Sequence, residues 1–391
     1  MSKVIVHIDL NAFFVRAEEI RDPSLENKPV AIGKEGRAGV VSTCSYKARE
    51  YGVHSGMPMF QAKQLCPNII ILPSDFRYYR SLSHIFMAFI RTYTKIIEIA
   101  SIDECYADFT TAIKGVKDVE GYFRNLQKDL YNKTKLMCSI GVAPTKFLAK
   151  MGSDYRKPMG LTVIRKKDIQ QILYPLSLDK LYGVGKKTLP KLQSLGYKTI
   201  GQLALAMNND DKELMSILGK FYFTLKDWLN GRGSDEVITE TSDPKSIGHS
   251  TTLMHDSDDF NEIKPIYERL CQDVSFQLKK ERKMAFTISI NIKDSDFTSH
   301  NKSITLDRPI EDTKLVYKYV INLYEKNFLG RNVRLIGVTL SNLVNKKDVI
   351  VQMNIFNQEE NEDHTKELIN KINKGHKKPI VMRASEINKD K

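Results

Sequence analysis

A chain of 391 residues exceeds what a single hydrophobic core usually organises, so two to four domains are expected. Its 60 Lys and Arg against 47 Asp and Glu leave a net charge of +13, which suits a polyanionic partner and, on charge alone, a merely soluble basic surface equally well. The start MSKVIVHIDLNAFF does not fit a signal peptide, no apolar stretch is long enough for a bilayer, and five scattered cysteines without CxxC spacing argue against a closed disulfide framework, so reduced thiols and a cytoplasmic location are expected.

In chain order, Lys3 to Ile8 is a β-branched run, which places Asp9 where a strand ends, and the following AFFVRAEEI has helical spacing. Pro29 to Ile32 and Gly39 to Thr43 read as short strands, and Tyr46 to Tyr51 as a helix stopped by Gly52. Phe76 to Thr94 is a longer helix. KIIEIA and CYADFT then flank Ser101-Ile102-Asp103-Glu104, two strands around a tight acidic turn. A helix over Val119 to Lys133, a strand over Leu136 to Val142 and a helix after Pro144 complete a βαββαβ-like alternation, a sheet with helices on one side.

Residues 165 to 198 carry eight Lys or Arg against two Asp, with the loop Leu181-Tyr182-Gly183-Val184-Gly185 between two helical patterns, and form a small basic helical domain. Thr239 to Lys245 is polar, contains Pro244 and reads as a linker. Beyond it SIGHSTTL, MAFTISINIK, NKSITL and NVRLIGVTLSNL read as strands, with helical stretches at 258–282 and 311–327, a second βαββαβ order. Residues 346–391 are highly charged and expected to be partly disordered.

Asp9 and the pair Asp103-Glu104 are distant in sequence, yet an antiparallel sheet can set their strands side by side. Three converging carboxylates can hold hard divalent ions such as Mg²⁺, and two such ions can clamp an in-line phosphoryl displacement. Spacing alone equally allows Asp9 as a helix cap and Asp103 and Glu104 as ordinary turn residues.

The wording of the segments shifts that balance. His7-Ile8-Asp9-Leu10-Asn11-Ala12-Phe13-Phe14-Val15 and Ser101-Ile102-Asp103-Glu104-Cys105-Tyr106-Ala107-Asp108 closely resemble the Y-family translesion DNA polymerases of the DNA polymerase IV type. The likeness continues in the family's order through VVSTCSYKAREYGVHSGMPM, GVAPTKFLAKMGSDYRKPMG, the Gly183-Val184-Gly185 loop and SIGHSTT. It implies an α+β multidomain, right-hand-like polymerase. The ferredoxin-like palm would be residues 1–10 and 77–166, the small fingers 11–76, the helical thumb with a helix-hairpin-helix 167–235, the βαββαβ little finger 241–345, and the tail 346–391.

The resemblance further implies a cytoplasmic, monomeric enzyme that adds deoxynucleoside triphosphates to a primer on template DNA, past damaged bases, with two Mg²⁺ ions. Asp9, Asp103 and Glu104 would be catalytic, and the same three with the carbonyl of Leu10 would be the metal ligands. Many relatives carry an acid where this chain has Asn11, and the positions of Cys105 and Ala107 vary, but no ligand is removed.

Tyr46 and Arg49, three residues apart on a predicted helix, share a face and can both donate to phosphate oxygens, and Lys146 at a helix start can add a point charge. By resemblance these contact the incoming triphosphate with Thr43 nearby; otherwise Tyr46 is a core residue, and Arg49 and Lys146 solvate the surface. Phe13 and Phe14 fall at the nucleotide, with Phe14 beneath the sugar, where it would reject a ribose. The competing expectation makes both core aromatics, and Phe13 is expected to be one.

Gly183 and Gly185 permit close approach and positive φ, so the loop amides, with Lys186 and Lys187, can face a DNA phosphate. A nucleotide-binding P-loop is rejected because the Gly-Lys-Ser/Thr order is absent. Strands of the last domain alternate apolar residues with Ser, Thr, Asn and Lys, leaving one face for a phosphate backbone. In the tail, Gln352-Met353-Asn354-Ile355-Phe356 resembles a sliding-clamp docking motif, the alternative being a terminal strand. Three rival functions stay open: an accessory-protein-dependent subunit of the other bacterial Y-family branch, a catalytically silent DNA- and clamp-binding protein, and a nucleotidyl cyclase.

Overall fold

A computed structural model of the chain describes residues 3–240 and 242–349, which fall into two units, Met1–Asp243 and Pro244–Lys391. The first begins with β1 (Ile5–Leu10), followed by α1 (Phe13–Arg21), β2 (Val30–Gly33), β3 (Val41–Cys44), α2 (Tyr46–Glu50), α3 (Met59–Leu65), β4 (Ile70–Leu72) and α4 (Phe76–Ile90). Then come β5 (Ile97–Ile99), β6 (Glu104–Asp108), α5 (Val119–Thr134), β7 (Cys138–Ala143), α6 (Lys146–Tyr155) and β8 (Leu161–Val163). The main sheet has the order β5-β6-β1-β7-β8, and β2, β3 and β4 form a separate small sheet. Short α3 and β4 were not foreseen; β4 pairs in parallel with β2, a non-local partnership that its three residues cannot announce.

Every residue of β1 is buried, because the strand is central and covered on both faces. Val6, Ile8 and Leu10 enter the core shared with Tyr79, Phe86, Phe123 and Leu126 of α4 and α5, whereas Ile5 joins Phe147, Leu148 and Met151 of α6. The expectation of helices on one side is therefore corrected. Period-two alternation also puts His7 and Asp9 on the α6 face. Asp9 is the penultimate residue of β1, at the strand end as expected, whereas Glu104 opens β6 instead of occupying the turn, because pairing with β1 keeps its backbone extended.

Helices α7 (Ile169–Ile172), α8 (Leu189–Ser194), α9 (Ile200–Asn208), α10 (Lys212–Leu218) and α11 (Phe221–Leu229) complete the unit. Leu173, Leu192, Leu203 and Leu225 extend the α6 core, and Trp228 stacks on Phe147 at 4.9 Å between centroids. Thr199 and Gln202 cap α9 reciprocally. The element preceding the glycine loop is only a 3-10 turn, Leu178–Lys180. All five cysteines are free and buried, as expected. No helix among the described residues is long and apolar enough to cross a membrane.

The second unit has β9 (Ser246–Ser257), α12 (Phe260–Lys280), β10 (Lys283–Asp294), β11 (Ser299–Ile310), α13 (Thr313–Phe328) and β12 (Val333–Asn345), in an antiparallel sheet of order β11-β10-β12-β9. The βαββαβ sequence order of the first unit recurs, but the placement differs: opening strand β1 is central, whereas opening strand β9 lies at an edge. Ile288, Ile290 and Ile292 point to the helices, leaving Ser289, Asn291 and Lys293 on the other face beside Ser303, Asn301 and Ser299. That polar face matches the alternation read from the strands.

Tyr267 and Tyr324 pack edge to face at 5.5 Å in this core, and neither hydroxyl has a hydrogen-bond partner among the described residues. A buried hydroxyl without a partner carries a desolvation penalty of about 1–3 kcal/mol. Tyr267→Phe should therefore keep or raise the stability of this unit, by up to ~1 kcal/mol. Urea unfolding of the full chain followed by circular dichroism would show it, and a midpoint clearly below the parent's would contradict the packing.

Candidate active site

The site is built on the register of β1. Asp9 stands directly opposite Glu104 across the antiparallel pair, and the Leu10 amide donates to the Asp103 carbonyl at 2.9 Å, which draws the Ser101–Asp103 bend against the end of β1. Donor atoms of His7, Asp9 and Glu104 all lie within 4.8 Å of one another, so these three could hold a metal ion. Asp103 is set differently. Its carboxylate accepts a hydrogen bond from Ser101 Oγ at 2.5 Å, and burial, together with the charges of Asp9 and Glu104, raises its pKa.

Helix α6 supplies the opposing charge. Thr145 caps it, and one face then presents Lys150, Ser153 and Asp154 to β1. Lys150 Nζ lies 3.1 Å from Asp9 Oδ2 and 2.8 Å from Glu104 Oε2, and Lys157 Nζ lies 2.8 Å from Asp9 Oδ1 and 2.7 Å from Asp154 Oδ1. Burial works against the Lys150 charge, but Asp9, Glu104 and Asp154 outweigh it and raise its pKa. The Glu104 carboxyl is held below the usual range; of its neighbours His7 and Lys150, the one that makes a fully formed hydrogen bond is Lys150.

His7 is fully buried, and its Nδ1 lies 2.7 Å from Ser153 Oγ. Its Nε2 lies 3.3 Å from Glu104 Oε2, but with too poor an alignment for a full hydrogen bond. Burial lowers the ring's pKa despite the neighbouring carboxylates, which favours the neutral imidazole. Four carboxylates, Asp9, Asp103, Glu104 and Asp154, thus face two ammonium groups and a neutral imidazole. That charge deficit and the oxygen-rich donor set fit a hard divalent cation.

His7, Lys150, Lys157 and Asp154 were missed in the sequence. A signal was present: His7 shares strand parity with Asp9, and Lys150 and Asp154 are four apart on a predicted helix. Asn11 is accounted for structurally. It is 2% exposed, donates to Ser139 Oγ at 2.9 Å and accepts from the Met159 amide at 2.8 Å, so it braces β7 and the 159–160 turn.

Tyr46 and Arg49 do share a face of α2, with the guanidinium 4.5 Å from the ring centroid. Tyr46 is half-buried and feels the charges of Lys157 and Asp9, which places it beside the acidic cluster; burial raises its pKa. Thr43 lies on β3, half-buried. Lys146 Nζ is held by Glu98 at 2.6 Å, over the Tyr106 ring, and the lysine whose charge Tyr46 feels is Lys157. Phe13 is a core residue, 3% exposed, whereas Phe14 is only partly buried and stacks on Tyr79 at 4.4 Å with an interplanar angle of 13°. Tyr79 is itself anchored through its hydroxyl to Glu18 at 2.8 Å, so Phe14 rests on a rigid support.

In the basic loop, Gly183 has φ +92°, and an added Cβ would fall 2.6 Å from the Phe221 ring, so both conformation and space demand glycine. Gly185 departs from expectation: its φ is not positive and nothing crowds it. Its carbonyl accepts from Thr188 and Leu189, opening α8. The amides of Gly185, Lys186 and Lys187 have no acceptor among the described residues, the usual state of a helix start. The tail residues Gln352, Met353, Ile355 and Phe356 lie outside the described residues.

Comparison with known proteins agrees with this geometry. Residues 8–154 match the impB/mucB/samB family, residues 166–197 the helix-hairpin-helix motif of that family, and residues 244–355 its C-terminal domain. DNA polymerase IV 1 of Bacillus subtilis (strain 168) is 38% identical over 395 residues, covering 100% of this chain and 94% of the relative. DNA polymerase IV of Bacillus velezensis is 37% identical over 397 residues, covering 99% of this chain and 94% of the relative. The structure of a Y-family DNA polymerase chimera, Dbh-Dpo4(243-245)-Dbh, superposes with a TM-score of 0.77 at 29% identity, covering 88% of this chain and 99% of the other. The three family matches cover the acidic cluster, the basic glycine loop and the second βαββαβ unit in turn, the relatives align over nearly the whole chain, and the chain belongs to the DNA polymerase IV branch of the Y-family DNA polymerases.

Proposed function

We propose that this chain is a template-directed DNA polymerase that extends primers with deoxynucleoside triphosphates, by two-metal phosphoryl transfer, past damaged template bases. The observation that carries it is Asp9 facing Glu104 across β1 and β6, with Asp103 tied to the same strand end through Leu10. The rival silent DNA-binding protein would have no use for this cluster, and a nucleotidyl cyclase would have none for the basic loop. The accessory-dependent subunit is separated by whether the purified chain extends a primer alone.

Asp9, Asp103 and Glu104, with the Leu10 carbonyl, would hold two Mg²⁺ ions. When bound, these ions lower the pKa of the primer hydroxyl and offset the charge of the triphosphate. Lys150 pairs with Asp9 and Glu104 and Lys157 with Asp9, which aims the two carboxylates. Tyr46, Arg49 and Lys146 donate to phosphate oxygens near Thr43. Phe14 closes the space under the sugar while Phe13 fixes its helix from the core.

In this reading residues 1–10 and 77–166 are the palm, 11–76 the fingers, 167–235 the thumb and 241–345 the little finger. Gly183, Gly185, Lys186 and Lys187 grip the DNA backbone, and the polar sheet face of the second unit adds further phosphate contacts, so binding weakens with salt. The enzyme works as a cytoplasmic monomer and docks on a sliding clamp through Gln352, Met353, Ile355 and Phe356 of the tail.

Asp103→Ala or Glu104→Ala should abolish nucleotide addition while leaving primer–template binding within about twofold, since the phosphate contacts lie elsewhere. Extension by either variant at the parent's rate would sink the assignment. Phe14→Ala should insert ribonucleotides far more readily, by about tenfold or more, while keeping substantial deoxynucleotide activity, because the ring presents bulk and no acceptor to a 2′-hydroxyl. Parallel loss of both activities, or unchanged ribonucleotide exclusion, would make Phe14 a core residue only. Ile355→Ala with Phe356→Ala should lower processivity only when the clamp is present; an equal loss without clamp would show a folding role.

A further inference from the structure

We propose that a cleft at the end of the main sheet remote from the acidic cluster is a docking site for an acidic peptide segment of a partner protein, one that presents an aliphatic side chain. The cleft has a volume of about 470 Å³ and opens where β1 begins and where β7 and β8 end. Its floor is Val4, Ile113, Val119, Pro144 and Val163, all apolar and all only partly covered by the rest of the chain. Strand register fixes this grouping: Ile5, next to Val4, pairs with Ala143, and Val163 pairs with Val142. Five residues of extended chain, roughly 16 Å, separate Val4 from Asp9, so an occupant of the cleft leaves the acidic cluster free.

The rim decides the class of occupant. Lys3, Arg165, Lys166 and Lys167 all border the cleft, and among the described residues no acidic side chain lines it. Lys3 is shared loosely with Asp235 at 3.5 Å and Arg165 with Asp168 at 3.9 Å, whereas Lys166 and Lys167 have no carboxylate partner among the described residues. Cations around an apolar cleft complement carboxylates that flank an apolar anchor. A phosphate backbone would use the rim and not the floor. A nucleobase would find no aromatic ring to stack on and no side-chain amide or hydroxyl to read it, because the lining carries neither. The anchor buries the partly exposed valines and isoleucine, and the rim orients the chain that carries it.

The test is fluorescence anisotropy with the full chain and a fluorescein-labelled peptide in which a run of aspartates is followed by a leucine pair. Lys166→Glu with Lys167→Glu should raise its Kd about tenfold by reversing the rim. Val119→Asp should do the same from the floor, and as the first residue of α5 the new carboxylate meets a helix start that favours it, so the far-ultraviolet circular dichroism should stay at the parent's level. Serine in place of the leucine pair should weaken binding by about tenfold or more. Equal binding of the two peptides, no binding by the parent, or a Kd for primer–template DNA raised by Val119→Asp as much as the peptide's would overturn the proposal, the last by giving the cleft to nucleic acid. Replacing Glu359, Glu360, Glu362 and Asp363 by Ala should leave the peptide's Kd unchanged; binding tightened by about tenfold would give the cleft to this chain's own acidic run. A dimer of the parent that Val119→Asp abolishes in sedimentation would give it to a second copy, and either result overturns the assignment to a partner protein.

Discussion

The pairing of β1 with β6 on one side and β7 on the other is the constraint from which the rest follows. It keeps the backbone extended through Leu10, sets Asp9 opposite Glu104, and lets the Leu10 amide draw in the carbonyl of Asp103. A slip of one residue would turn Asp9 into the hydrophobic layer of α4 and α5 and bring Ile8 into the acidic cluster. The register is guarded by the alternating set Val6, Ile8 and Leu10, buried against Phe123 and Leu126. The chemistry of the site is therefore secured by apolar packing on the opposite face of the same strand.

Crowding carboxylates this closely requires compensation, and α6 with the turn just after it provides it. Lys150 bridges Asp9 and Glu104, and Lys157 bridges Asp9 and Asp154, so each acid except Asp103 has a cationic partner. Asp103, left with Ser101 and two like-charged neighbours, is the acid whose ionisation is disfavoured, and a divalent cation would relieve it most. The two lysines also explain why β1 can bury an Asp and a His in its outer half. A charge out of water is tolerated where it is paired, and an imidazole where it stays neutral beside a hydroxyl.

Helix α6 has a second use. Its first residue, Lys146, reaches Glu98 and Ser234, while its middle faces the carboxylates, so a single ten-residue element joins the acidic cluster to the segment that leads out of the first unit. The stacked Phe14 and Tyr79 pair shows the same economy, since Tyr79 of α4 is at once a core residue, a hydrogen-bond donor to Glu18 and the support for the partly buried Phe14.

The sequence by itself determined most element types, the βαββαβ order of both sheets, the acidic residues, the basic glycine loop and the family, because periodicity and motif wording are local. Tertiary structure alone decided what depends on partners distant along the chain. It opened β6 at Glu104 and added α6 to the uncovered face, since strand ends are set by the neighbours that pair with them. It put β1 in the middle of one sheet and β9 at the edge of the other although both open the same order of elements. It separated Asp103 from the tight His7, Asp9 and Glu104 set, and gave Lys146 to Glu98. Side-chain pairings of this kind span 46 residues of chain from Lys150 to Glu104 and 141 from Lys150 to Asp9, and only the folded backbone brings such residues within the few ångströms over which an ion pair acts.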